Sequence, residues 1–172
     1  MKRTLLIVFL LFAILLSSCG DKADIREQFS LPMRFFATTV GGGSQYHVDI
    51  TDKYCDIEFC DSSILNGAVI RLEDGKSNIS VGEFKFAVDE NNFPAMQALT
   101  KAVRLLATAD AVGIEEEKGV KYTIDETSVL VYYDKDTNKI IGIRTEELGR
   151  AFEFTLSDLE PYEAQSNGTS QP

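Results

Sequence analysis

The chain has 172 residues, 44% of them apolar and 26% charged, with a formal net charge of −10. That is room for one domain with its own core and too little for two, and the composition is that of a folded protein. The acidic balance repels phosphate backbones and argues against nucleic acid as a partner.

Residues 1–19 read MKRTLLIVFLLFAILLSSC. Lys2 and Arg3 form a positive end, and Leu5 to Leu16 is an unbroken run of 12 apolar residues. A mature spanning helix needs about 20, so this run fits the core of a secretory signal peptide. The segment Leu16-Ser17-Ser18-Cys19 resembles a bacterial lipobox: an aliphatic residue, two small residues, then the cysteine that is acylated. The resemblance implies loss of residues 1–18 as signal peptide and a diacylglycerol on the Cys19 sulfur, which becomes the new N-terminus. Two acyl chains anchor stably where one binds only marginally. The expected mature protein is therefore extracytoplasmic and lipid-anchored to a bacterial cell membrane. Taking Lys2 and Arg3 from 17 basic residues leaves 15 against 27 acidic ones, a formal −12.

Residues 19–30 carry little apolar pattern and are expected to be a lipidated tether, with a short helical turn at most. The folded domain is expected over residues 31–160. Period-two alternation dominates it, the signature of strands with one buried face. Tyr46, Val48 and Ile50 alternate with polar residues, as do Cys55, Ile57 and Phe59; Ala68, Ile70 and Leu72 keep the same period with Arg71 between, and Phe84, Phe86 and Val88 flank Lys85. The sole histidine, His47, falls on the polar side beside Asp49, without the partners that a zinc site or catalytic triad requires. Gly41-Gly42-Gly43 joins two strands with no helix after it, so it is a turn and not a phosphate cradle. Cys55 and Cys60, five apart on an extended strand, would point to opposite faces about 16 Å apart. A disulfide between them would require a sharp turn near Phe59, and small buried fillers are the simpler role.

Pro94 to Asp110 follows helical spacing instead. Pro94 suits the first turn, Asn92 or Phe93 the cap, and Gly113 lies shortly past the end. Gln97, Lys101, Arg104 and Thr108 form one narrow polar stripe, and Met96, Ala98, Leu99, Ala102, Val103, Leu105 and Leu106 make a wide apolar face. A face that wide must be covered, most simply by a curved sheet wrapped around it. Glu115-Glu116-Glu117 is expected at a solvated edge, where charge blocks edge-to-edge pairing. Alternation resumes at Val120-Tyr122-Ile124, Val129-Val131-Tyr133, Ile141-Ile143 and Phe152-Phe154-Leu156. Asp134-Lys135-Asp136-Thr137-Asn138 mimics the start of a calcium loop. Lys139 and Thr145 stand where glycine and glutamate are needed, so a hairpin turn is expected. Residues 161–172 are expected to be a frayed tail.

A lipobox leader, a strand meander, one apolar helix and a second meander together resemble the LolA/LolB-like lipoprotein-carrier superfamily, particularly its small LolA-like lipoproteins in Firmicutes. The stretches that carry the resemblance are Ser63 to Ile70, Val81 to Phe86, Asn92-Phe93-Pro94 opening the helix, and Asp136 to Ile140, where Asn138 replaces a glycine of the family's hairpin. The likeness spans about residues 33–156 and implies a half-open antiparallel barrel, mainly β, with an apolar concave side that binds acyl chains. Two departures stand out. A chain anchored at Cys19 cannot shuttle across a periplasm, and the family's long first helix near residues 20–32 is short or absent.

Two functional classes follow. In the first, Met96, Leu99, Val103 and Leu106 on the helix, with Phe84, Phe86, Phe152 and Phe154 opposite, line a groove for a lipid or other apolar ligand. In the second, those residues are plain core and the protein is a structural or interaction lipoprotein of the envelope. An empty apolar volume of at least about 300 Å³ between helix and sheet favours the first. No nucleophile–base–orienter set, metal cluster or cofactor motif stands in the sequence, so neither catalysis nor a cofactor is expected.

Overall fold

Alternating burial organises the described residues into eleven strands. The structure, a computed structural model, describes residues 24–61, 64–73 and 76–162. The signal peptide and Cys19, residues 20–23 of the expected tether, Ser63 and residues 163–172 of the tail lie outside the described residues. The first meander comprises β1 (Met33–Thr39), β2 (Gln45–Ile50), β3 (Tyr54–Phe59), β4 (Val69–Glu73), β5 (Lys76–Val81) and β6 (Phe84–Val88). Helix α1 (Pro94–Thr108) follows. The second meander comprises β7 (Ile114–Glu115), β8 (Val120–Ile124), β9 (Thr127–Tyr133), β10 (Ile140–Glu147) and β11 (Arg150–Pro161).

All pairings are antiparallel, and the sheet order is β6-β5-β4-β3-β2-β1-β11-β10-β9-β8-β7. The two meanders meet in the middle, where β1 pairs with β11 from Met33↔Pro161 to Thr39↔Phe154. Among the described residues, the architecture is a curved, open antiparallel sheet wrapped around one apolar helix, as the sequence predicts. Met96, Leu99, Ala102, Val103 and Leu106 of α1 are buried against Ile57, Ile70, Val129, Val131, Ile143 and Phe154 of the sheet. Burying each large aliphatic side chain contributes about 1.5–3 kcal/mol.

Several local expectations change. Residues 24–29 belong to the domain: Ile25–Gln28 form a 3-10 turn, and Ile25 and Phe29, four apart, are buried in the core. The Asp24 carboxylate caps the turn by accepting from the Arg26 amide (3.0 Å) and also accepts from the Tyr122 hydroxyl (2.8 Å). Two apolar side chains four residues apart suffice to dock so short a turn. At the other end, Tyr162 stays ordered, with the Arg34 guanidinium 4.7 Å over its ring.

The expected alternation Ile141–Ile143 is broken by a bulge. The β9–β10 register shifts between Ile140 and Gly142, so Ile140 and Ile143 are buried while Ile141 is exposed. A Cβ on Gly142 would meet the Phe154 carbonyl at 2.6 Å, so only glycine lets the strands approach there. Strands β1 and β5 fall outside the sequence reading. In β1 two adjacent phenylalanines blur the alternation, and β5 is mostly polar. The hairpin at Asp134 forms as expected. Its carboxylate accepts from the amides of Asp136 (2.9 Å) and Thr137 (2.8 Å), and Asn138 takes φ 56°, the left-handed conformation for which asparagine substitutes for glycine.

Candidate functional site

Residues directly opposite across antiparallel strands share a face, so the register locates the helix-facing side of the sheet. One row runs Ile57, Ile70, Ile79, Phe86 across β3 to β6, and the next runs Cys55, Leu72, Ser77, Val88. Along the first row cover by α1 is progressively lost. Ile57 and Ile70 are fully buried, Ile79 is half-buried, and Phe86 is 54% exposed. Phe84, opposite Val81, is 71% exposed, and its ring stacks on that of Phe86 at 6.5 Å and 18°. The end of the concave face is therefore an uncovered apolar strip of Ile79, Val81, Phe84 and Phe86.

The eight side chains proposed to line one groove do not come together. Met96, Leu99, Val103, Leu106 and Phe154 are sealed in the core, and Phe152 is partly buried against it. Phe84 and Phe86 lie on the correct face of the sheet but beyond the reach of the helix. The apolar face of α1 is filled by the sheet it rests on.

Open space lies instead along the polar stripe of α1. A cleft of about 460 Å³ is walled by Gln97, Thr100, Lys101, Arg104 and Leu105 on the helix, by Leu72 and Glu73 of β4, and by Glu147 and Leu148 at the β10–β11 turn. Its size falls within the range of small-molecule sites. The Lys101 ammonium pairs with Glu147 across the cleft at 3.2 Å. Arg104 donates from Nε to the Thr51 carbonyl at 3.3 Å, while its Nη2 is buried and makes no hydrogen bond. The hydroxyl of Ser77, opposite Leu72, is likewise buried and unpartnered. The polar helical stripe was legible in the sequence. Its position facing a cleft was not, because that depends on how far the sheet curls past the helix.

The other candidate residues have structural roles. Cys55 is buried beneath α1 and accepts a hydrogen bond from the Thr100 hydroxyl at 3.3 Å. Burial pushes its thiol pKa up to about 12, which leaves it unreactive. Cys60, free and half-buried beyond the end of β3, donates to the Glu58 carbonyl at 3.6 Å. His47 lies on the convex face, 3.7 Å from Asp49 and 3.9 Å from Glu58, with its ring against Phe36. That face is tied by paired hydrogen bonds from Arg34 to Asp49 and from Arg71 to Asp56. Among the described residues, no group of three His, Cys, Asp or Glu side chains could hold a metal ion, and no helix is long and apolar enough to cross a membrane. The acidic run begins at β7, one of the two edge strands, and Glu116 lies 3.9 Å from Lys121.

No family model and no curated protein matches this chain. Among solved structures, it is similar to a LolA superfamily protein from Nitrosomonas europaea, with a TM-score of 0.39 and 11% identity, over 81% of this chain and 93% of that one. The fold assignment rests on the strand order and the enclosed helix.

Proposed function

We propose that this protein is a lipoprotein, anchored through Cys19 at the outer side of a bacterial cell membrane, that binds a lipid or other apolar ligand on the concave face of its sheet. The supporting observation is the row Ile57–Ile70–Ile79–Phe86, whose exposure rises from zero to 54% as the cover of α1 runs out. Two stacked phenyl rings at the end of that row leave apolar area in water that a ligand would remove. Given their partial exposure, covering them contributes about 1–2 kcal/mol each. The role is binding, with no catalysis.

The test is native mass spectrometry of the protein extracted from membranes, paired with titration of an apolar fluorescent dye. A co-purifying lipid, and dye binding weakened at least several-fold by the double variant Phe84→Ser/Phe86→Ser, support the reading. No lipid and unchanged dye binding in that variant refute it. The anchoring half is tested separately by Cys19→Ala, which should release the protein from membranes; retention after a salt wash would overturn it.

The second reading, an interaction lipoprotein with a filled core, draws on a different observation. The apolar face of α1 is closed, with Leu99 and Val103 fully buried. Under that reading, a protein partner and not a lipid covers Phe84 and Phe86.

A further inference from the structure

We propose that β6 is an interface between two copies of this chain: it pairs antiparallel with β6 of a second copy about a two-fold axis at Phe86, and the two apolar strips merge into one trough. The trough rests on the apolar-binding reading; the pairing does not. Among the described residues, β6 lies at one edge of the sheet and pairs only with β5. The β5–β6 turn has two residues, Gly82 and Glu83, between the paired Val81 and Phe84. Gly82 takes φ 58° and Glu83 has no positive φ, which makes this a II′ hairpin turn. The residues flanking such a turn bond to each other, and the direction of the backbone groups alternates from there. Phe84, Phe86 and Val88 therefore bond inward to β5, and the N–H and C=O groups of Lys85 and Ala87 point away from the sheet. Both residues are exposed, so a second backbone can reach those groups.

The side chains select the partner and the register. A centre at Phe86 pairs all five residues of β6: Phe84 opposite Val88, Lys85 opposite Ala87, and Phe86 opposite itself. The Phe86 pair is then non-hydrogen-bonded, with Cα atoms about 4.5 Å apart, and the Lys85–Ala87 pairs on either side exchange backbone hydrogen bonds. Lys85 lies between Glu83 of its own turn and Asp89 diagonally across on the second copy, and screens the one carboxylate from the other. A centre at Lys85 would instead set two ammonium groups face to face. The opposite edge, β7, has two residues and runs into Glu115-Glu116-Glu117, which disfavours an open chain of sheets and leaves the closed two-fold contact.

A two-fold axis normal to the sheet keeps both concave faces on one side. Ile79 and Phe86 of each copy then form one row about 14 Å wide, at 4.7–4.9 Å per strand. The turn at Ile25–Gln28 packs against α1 on that same side, so both tethers leave toward one surface. Five residues a side fall short of the roughly 20–30 of a stable interface. The contact is therefore weak in free solution and depends on two copies held at one membrane, where their effective concentration is high.

Disulfide trapping in membranes of cells expressing the full chain reads the register. The background is Cys60→Ser, which removes the half-buried native thiol and leaves Cys55 buried. Oxidised with copper phenanthroline, Phe86→Cys is expected to give a disulfide dimer several-fold more abundant than Phe84→Cys gives. Random collision predicts the reverse order, because Phe84 is 71% exposed and Phe86 54%. In the proposed register the two copies of Phe84 lie about 14 Å apart, and a disulfide needs Cα atoms within about 7 Å. Adding Ala87→Pro removes an N–H that β5 does not use, so the fold is kept and the dimer is lost. If Phe86→Cys fails to fold, chains carrying Phe84→Cys and Val88→Cys produced together decide: a mixed disulfide supports the pairing, and its absence overturns it. Equal or stronger linkage of Phe84→Cys alone, or none at any position, also overturns it. Native mass spectrometry of the same membranes separates the two claims. Lipid carried without the disulfide overturns the pairing alone; the disulfide without lipid overturns the trough and the reading beneath it.

Discussion

Leu99 and Phe84 are both large apolar residues on the helix-facing side, yet replacing them should have opposite consequences. Leu99 is fully buried in the middle of α1. Leu99→Ala removes three carbons worth about 0.8 kcal/mol each, so the transfer cost alone is about 2.4 kcal/mol. The cavity left behind raises the total to about 3–5 kcal/mol, because close-packed neighbours relax only in part. At roughly 3–5 °C per kcal/mol for a domain of this size, Tm should fall by at least about 10 °C. Phe84→Ser, at a position 71% exposed, should change stability by less than about 0.5 kcal/mol. Urea unfolding followed by far-ultraviolet circular dichroism measures both, with the slope m checked for constancy. A loss below about 1 kcal/mol in Leu99→Ala would mean that the space under the helix is not filled. A loss above about 2 kcal/mol in Phe84→Ser would mean that the strip at the sheet edge is not open. Either result contradicts the distinction between core and binding face.

A Cβ at Gly119 would lie 2.1 Å from the Val131 carbonyl, a backbone atom that cannot swing aside. Gly119→Ala should therefore destabilise the β8–β9 end by more than 1 kcal/mol, read by the same unfolding assay. Burial that pushes the Cys55 thiol up to about 12 should keep it unmodified by iodoacetamide at pH 8 until the chain unfolds. Peptide mapping should find Cys60 alkylated first, and early labelling of Cys55 would contradict its burial. Asp134 has its carboxyl held below the ordinary aspartate range, first by the Thr137 amide, then by the Thr137 hydroxyl and the Asp136 amide. A depressed folded-state pKa stabilises above the unfolded value of about 3.9 and is lost as pH falls through the lower folded value. The turn should thus loosen only in that acidic window. Carbon-detected titration of the Asp134 carboxyl checks this, and a midpoint at or above 3.9 refutes it.

Much of the architecture is local in origin and so was legible in the residue order. Alternation in Tyr46–Ile50 and Cys55–Phe59 follows from the period of a strand with one wet face. The helix at Pro94–Thr108 follows from spacing, and its broad apolar surface already demands a wrapping sheet. The hairpin at Asp134 needs only its own carboxylate and an asparagine that accepts positive φ. Strand β5 was missed because its fit depends on β4 and β6 supplying hydrogen bonds on either side, and that pairing leaves no apolar pattern behind. The bulge at Ile141 was missed because it answers the approach of Phe154 from another strand.

The candidate site divides along the same line. Hydropathy marked Met96, Leu99, Val103 and Leu106 together with Phe84 and Phe86 as one greasy set, since composition records how apolar a side chain is and not what covers it. Tertiary structure alone separated them, sealing the first four and exposing the last two, because a helix of 15 residues lies over the middle of an eleven-stranded sheet and stops short of its edge. The same arithmetic of coverage made the polar stripe of Arg104 the wall of a cleft.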